Sequence, residues 1–226
     1  MATREGVSDG ELVRRAGNGD AAAYAALAAR YETPLYSYAA RVLCSLGDGE
    51  RCLIAALAAG WRELGGGAAP SRPLPQEWLY GLVRDECFDE LARRPPTDSG
   101  DLDVGLSGDC VEIAAEAALR TQRPAHRDVL ILRDVHGLDA PLLCAVIDMS
   151  EADADNLLYR ARDEFGKTFA SLPAPERCNA RRENCPDCAE RERLRAVPQH
   201  ALLRLGPLPV PERVRADLRS AVSQTR

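Results

Sequence analysis

The chain has 226 residues, 46% of them hydrophobic and 28% charged, and carries a formal net charge of -6. That composition excludes wholesale disorder, collagen-like repeats and a coiled-coil rod. The acidic balance excludes a protein that grips nucleic acid through its overall charge, so any such contact needs a local basic patch. The longest nearly apolar stretch, 53–60, falls far short of the roughly 20 residues of a membrane span. Arg4, Glu5, Asp9 and Glu11 stand where a secretory signal would be apolar, so a cytoplasmic protein is expected. Aromatic residues make up only 5%, and Ala and Leu dominate the apolar set, which favours helices over sheets. An all-α chain of two or three small domains follows.

In chain order, Tyr24, Leu27, Tyr31, Leu35, Tyr38 and Val42 recur at steps of three and four, and so do Leu53, Leu57, Trp61 and Leu64. Both series predict amphipathic helices. The stretch 65–76, with three consecutive glycines and three prolines, predicts a loop. A further helix is predicted over 77–94, with Trp78, Leu79, Leu82, Val83, Cys87, Phe88 and Leu91 on a broad apolar face and Pro95-Pro96 as its stop. Residues 8–94 are thus expected to form one small helical bundle. Residues 95–109, rich in Pro, Gly, Ser and Asp, read as a flexible acidic linker.

A second helical domain is expected over 110–172. Helices are predicted over 110–120, 124–135, 140–147 and 151–169, with a turn at His136-Gly137 and Ser150 as the natural N-cap of the last. The short helix, the break at 148–150 and the longer helix after it have the outline of a helix-turn-helix. Residues 173–226 read as a small Cys-rich C-terminal extension. From Ala174 onward it holds eleven Arg against seven acidic residues, so the acidity of the chain lies in the two helical domains.

Three stretches in this order resemble bacterial extracytoplasmic-function sigma factors, and together they cover most of residues 8–170. SDGELVRRAGNGDAAAYAALAARYETPLYSYAARV resembles the first helices of sigma domain 2, and Trp61-Arg62-Glu63-Leu64 the end of its polymerase-binding helix. EWLYGLVRDECFDELARR is similar to the helix that faces the promoter -10 element. RPAHRDVLILRDVHGLDAPLLCAVIDMSEADADNLLYRARDEF resembles sigma domain 4, with Leu132-Arg133, Gly137-Leu138, Ser150-Glu151 and Tyr159-Arg160-Ala161-Arg162 at matching places. The resemblance implies a sigma factor that binds core RNA polymerase and promoter DNA in transcription initiation, with an anti-sigma factor or other transcription regulator as a further partner. It assigns polymerase binding to Leu53, Leu57 and Trp61. DNA binding falls to Trp78, Arg84, Arg93 and Arg94 in domain 2 and to Arg160 and Arg162 in domain 4. Two compact domains on a linker would grip two promoter elements with a raised effective concentration.

The chain departs from this family in two places. RCLIAALAAGW puts Arg51, Ile54 and Ala55 where the family carries an acid, Gln and Glu. From Gly137 to Phe165 seven acids (Asp139, Asp148, Glu151, Asp153, Asp155, Asp163, Glu164) face only Arg160 and Arg162, a balance that opposes phosphate contact. A second reading therefore stands beside the first: a degenerate sigma-like protein that regulates transcription through protein-protein contacts without sequence-specific DNA binding.

Cys178, Cys185, Cys188 and His200 offer three thiolates and an imidazole, a donor set that suits tetrahedral zinc; a thiol-disulfide switch and unligated thiols are the competing readings. Cys44, Cys52, Cys87 and Cys144 read as small core residues. No enzyme is expected, because the three His pair with no obvious nucleophile. Gly166-Lys167-Thr168 only mimics the end of a phosphate-binding loop, since Ala161 stands where its first Gly belongs. A composition of 28 Arg to one Lys fits a GC-rich, actinobacterial source.

Overall fold

The computed structural model describes residues 7–65, 70–94, 108–173 and 185–224. It is all-α as expected, with no strand among the described residues. The chain divides into two compact units. The first is built from residues up to 39, 47–96 and 208 onward, and the second from 40–46 and 97–207.

The first unit holds α1 (Asp9–Gly17), the body of α2 (Ala21–Leu43), α3 (Leu46–Gly65), α4 (Pro75–Arg93) and α10 (Glu212–Gln224). Ser8 caps α1 by accepting from the Glu11 amide at 3.3 Å, and Gly19, at φ +88, turns the chain into α2. Asp20 starts α2 by accepting from the Ala23 amide at 3.0 Å. The predicted apolar rows fill one core: Tyr24, Leu27 and Leu35 of α2, Leu53 and Leu57 of α3, and Trp78, Leu79 and Val83 of α4 are fully buried. Gly60 of α3 sits where side chains of α2 and α4 close in. A Cβ there would stand 2.7 Å from Leu82 Cδ1 and 2.9 Å from the Tyr24 hydroxyl, which itself donates to the Leu57 carbonyl at 2.5 Å.

The second unit holds α5 (Cys110–Arg120), α6 (Pro124–Leu130) running into a π-helical turn (Ile131–Val135), α7 (Ala140–Ile147), α8 (Glu151–Ser171), α9 (Pro186–Leu194) and a 3₁₀ segment (Pro198–Arg204). Asp109 and Glu112 form a reciprocal capping box at the start of α5, so its beginning at Cys110 has a local cause. The helix expected over 124–135 widens at its end, where the His136 amide reaches the Ile131 carbonyl at 2.8 Å and Gly137 takes φ +68. Asp139 caps α7, Asp148 leaves it in the left-handed region at φ +55, and Ser150 caps α8 as expected. Phe165 and Phe169 of α8 stack 5.9 Å apart in a core shared with Val111, Ala115, Leu130, Ile131 and Leu202.

The C-terminal stretch, expected as a module of its own, divides instead: its described residues up to Pro207 join the second unit, and Leu208 onward joins the first. Most of the expected linker, 95–107, lies outside the described residues. Buried arginines frame the second unit by satisfying helix ends. Arg127 donates from Nε to the Val42 carbonyl at 3.0 Å, and from Nη1 to the carbonyls of Arg120 at 3.1 Å and Gln122 at 2.9 Å. The last-turn carbonyls of a helix have no partner within it and carry partial negative charge, so a guanidinium is a fitting cap. Arg191 of α9 does the same for α8, which has no basic residue in its own last turn: it donates to the carbonyls of Phe169, Leu172 and Pro173.

Candidate functional site

The residues read as polymerase-binding, Leu53, Leu57 and Trp61, are core residues of α3, with Trp61 tilted against Tyr24 at 5.2 Å. The outward side of α3 presents Arg51 and Arg62, with Ile54, Ala55, Ala58 and Ala59 half-buried beside them. Of the residues read as facing the -10 element, Trp78 is fully buried and its indole N–H donates to Glu63 Oε2 at 3.1 Å. It orders the core between α3 and α4 and offers no stacking face to a base. Arg84 lies over the Phe88 ring at 4.6 Å. Arg93 is exposed and pairs with Glu86 at 3.3 Å and Glu90 at 3.6 Å, while Arg94 pairs with Asp48 and, at 4.0 Å, with Glu90. The basic end of α4 is therefore interleaved with acids.

In the second unit α7 and α8 meet across the tight turn at 148–150, the arrangement of a helix-turn-helix. Glu151, Asp153, Asp155, Asn156, Tyr159 and Arg160 are exposed along the first turns of α8, and Tyr159 keeps 75% of its surface. Asp153 also closes the cap, accepting from the Ser150 hydroxyl at 2.6 Å. Arg162 is drawn inward into a bidentate pair with Asp134, at 2.9 Å from Nε and 2.5 Å from Nη2. The outer face of this helix therefore offers carboxylates, an aromatic ring and one cation, Arg160, among the residues that were expected to meet DNA.

A third constellation was legible only in part. Cys185 and Cys188 converge on Cys110, which no sequence spacing links to them: the Cys110 sulfur is 3.8 Å from that of Cys185 and 3.7 Å from that of Cys188. The three thiols form the one group among the described residues that can hold a metal ion in this way. His200 lies exposed on the 3₁₀ segment and is not a member, which corrects the expected ligand set at that position; Cys178 lies outside the described residues. Cys44, Cys52 and Cys87 are buried as expected, and Cys144 is half-buried. The hydrogen bond with Cys87 lowers the Cys52 thiol below its ordinary value against the opposing effect of burial.

The basic tail seats α10 on the first unit. Val214 and Leu218 are buried, Arg213 makes a bidentate pair with Glu50 at 3.0 and 2.6 Å, and Arg215 pairs with Glu32 at 2.6 Å. Just ahead of the helix, the Leu208 amide donates to the Ser37 hydroxyl at 2.7 Å.

No family model matches the sequence, and no curated protein matches it. Among solved structures the chain is similar to one described as CnrH in complex with the cytosolic domain of CnrY. The TM-score is 0.58 at 21% identity, over 73% of this chain and 99% of the matched chain. CnrH is an extracytoplasmic-function sigma factor, and the likeness shows that this chain has that fold. No helix among the described residues is long and apolar enough to cross a membrane.

Proposed function

We propose that this chain is a sigma-like regulator of transcription initiation that engages core RNA polymerase and acts in the cytoplasm without catalysing a reaction. The observation that carries the reading is the presence of one helical unit bearing α4 and a second bearing the α7–α8 helix-turn-helix, on the fold of an extracytoplasmic-function sigma factor. In this reading Leu53, Leu57 and Trp61 hold α3 from beneath, and the polymerase meets its outward side around Arg51, Ile54, Ala55 and Ala58. Trp78 likewise positions α4, while Arg84, Arg93 and Arg94 meet the DNA backbone. Arg160, with Arg162 if it leaves Asp134, is the cationic contact of α8.

One observation favours the second reading, in which the partner of α8 is a protein. Exposed Glu151, Asp153 and Asp155 around Tyr159 repel phosphate and suit a basic protein surface. A transcription regulator is the fitting class of partner, and the neighbour was itself solved with the cytosolic domain of CnrY. Binding of the purified chain to sigma-free core RNA polymerase, in competition with a primary sigma factor, tests the proposal. Mutual displacement is expected. Absence of binding overturns it and leaves the protein-partner reading alone.

A further inference from the structure

We propose that Cys110, Cys185 and Cys188 form a zinc site that fastens α9 to the start of α5. The sulfur separations set the class of site. A bonded disulfide holds its sulfurs about 2.05 Å apart, whereas Cys110 is 3.8 Å from Cys185 and 3.7 Å from Cys188. Two thiolates bound to one zinc at about 2.3 Å with tetrahedral angles stand about 3.75 Å apart. The observed spacings are those of a tetrahedron's edges, with three of its corners taken by sulfur from two chain segments 75 residues apart.

The backbone around the thiols favours their charged form. Cys110 is the first residue of α5, Cys185 is the N-cap of α9, and Cys188 lies in the first turn of the same helix. Two helix N-termini thus converge on the sulfurs, and the positive end of the helix dipole, least screened at α9 where no side chain caps the first turn, stabilises thiolates. Pro186, at the first position of α9, lacks the amide hydrogen that this position has no need to donate, and its fixed φ suits the helical turn that spaces the two cysteines.

Binding converts three thiols to thiolates and releases their protons to solvent, and three thiolates on a dication leave one negative charge. The guanidinium of Arg191, one turn beyond Cys188, is buried beside this charge and interacts electrostatically with both Cys188 and Cys110. Its Nε–H is buried with no hydrogen-bond acceptor, a donor available to a metal-bound sulfur. The same Arg191 caps the end of α8, so the metal, the cap and α9 act as one fastening of the extension to the second unit. Cys110 is 1% exposed, which keeps this sulfur from bulk solvent and oxidants.

The test uses the full chain, reduced and stripped of metal, then titrated with zinc or with cobalt as a spectroscopic substitute. One metal per chain is expected after gel filtration. The cobalt form should show the visible bands of a tetrahedral site and the near-ultraviolet charge transfer of sulfur ligation. Cys110→Ser should weaken zinc binding by more than the roughly 10–100-fold that loss of an outer-shell partner costs, and His200→Ala should leave it unchanged. Far-ultraviolet circular dichroism checks the fold of each variant. The cobalt spectrum of the unaltered chain needs no variant, so the proposal is open to refutation even if Cys110→Ser fails to fold. Three results would overturn it: no metal uptake by the unaltered chain, a folded Cys110→Ser that binds as tightly with the same spectrum, or a disulfide joining Cys110 to Cys185 or Cys188 in the protein as isolated.

Discussion

Arg127 supports the second unit from an unusual position, and its replacement gives a quantitative test of how that unit is held. Arg127 is 7% exposed and donates hydrogen bonds to the carbonyls of Val42, Arg120 and Gln122. These carbonyls belong to the last turn of α2 and to the end of α5 with its following turn. Hydrogen bonds to a charged donor are worth about 1.5–3 kcal/mol each. Their sum exceeds the net effect, because burying a guanidinium costs part of that gain. Arg127→Met retains the apolar stem, removes the charge and leaves the three acceptors without this donor. With water reaching the turn carbonyls, the expected loss is about 3–4 kcal/mol. Arg127→Lys keeps the charge but cannot reach both sides at once, so about 1–2 kcal/mol should be lost. Urea unfolding followed by circular dichroism, with the slope held to the unaltered value, reads both numbers. If Arg127→Met costs less than about 1 kcal/mol, the carbonyl clamp is not what frames this unit.

Four further outcomes follow from the same contacts. Burial, with the nearby Arg41 charge, pushes the His136 imidazole down to about 4, so the unfolded chain binds the extra proton as pH falls. The second unit should hold this stability fully above pH about 6.5 and lose about 2 kcal/mol by pH about 5, with the rest going towards pH about 4; His136→Gln should flatten the dependence in urea titrations. Gly60→Ala forces a methyl against Leu82, Tyr24 and Trp78 and should cost about 1–3 kcal/mol, read by fluorescence because both Trp residues of the chain, Trp61 and Trp78, lie in this unit. Asp134→Asn breaks the bidentate pair with Arg162, so thermal stability should fall by about 1–2 kcal/mol while binding to any DNA duplex rises. Glu151→Lys with Asp155→Lys should tighten duplex binding at low salt and steepen its salt dependence by about 1.8 in logarithmic slope, an extra loss of about tenfold between about 50 and 200 mM salt; unchanged binding would show that α8 does not face DNA.

Much of the fold was legible because its signals are local. Ser150 caps α8, and α7 runs over the predicted 140–147 because Asp139, Pro141 and the Asp148 turn each act within a few residues. What a periodic row cannot say is what covers it. Leu53, Leu57 and Trp61 were correctly placed on one face of α3, but the three-residue and four-residue steps of a core row and of a docking row are alike, and here the face is covered by the chain itself. Trp78 sits on the apolar face read from its helix, but its position leaves a core role and a base-facing role alike, and what covers it, with Glu63 as the indole's partner, is supplied by another helix. The thiol cluster divides along the same line. The Cys185-Pro-Asp-Cys188 turn is a local signal, whereas Cys110 enters only through the packing of α5 against α9, and no spacing rule joins residues that far apart. Buried arginines were the least legible group, since an Arg that caps another helix carries no mark separating it from a solvated one.

The extension illustrates how a charge balance acquires its meaning from contacts. Its excess of Arg over acid looks, in sequence, like a free cationic arm of the kind that follows a nucleic-acid backbone. In the structure four of those cations among the described residues are engaged one by one. Arg191 is on the carbonyls that end α8, Arg204 on Asp109, Arg213 on Glu50 and Arg215 on Glu32. Three of these four neutralise acids outside the extension, so the basic tail and the acidic helical units are complementary parts of each unit's surface. Exposed pairs of this kind are worth only about 0–1 kcal/mol each and weaken with salt. Buried Val214 and Leu218 must therefore supply most of the hold on α10. A polymerase or regulator that competes for this part of the first unit would have to displace an amphipathic helix and not merely a screen of charge. Ionic strength alone would tune the docking of α10 without releasing it.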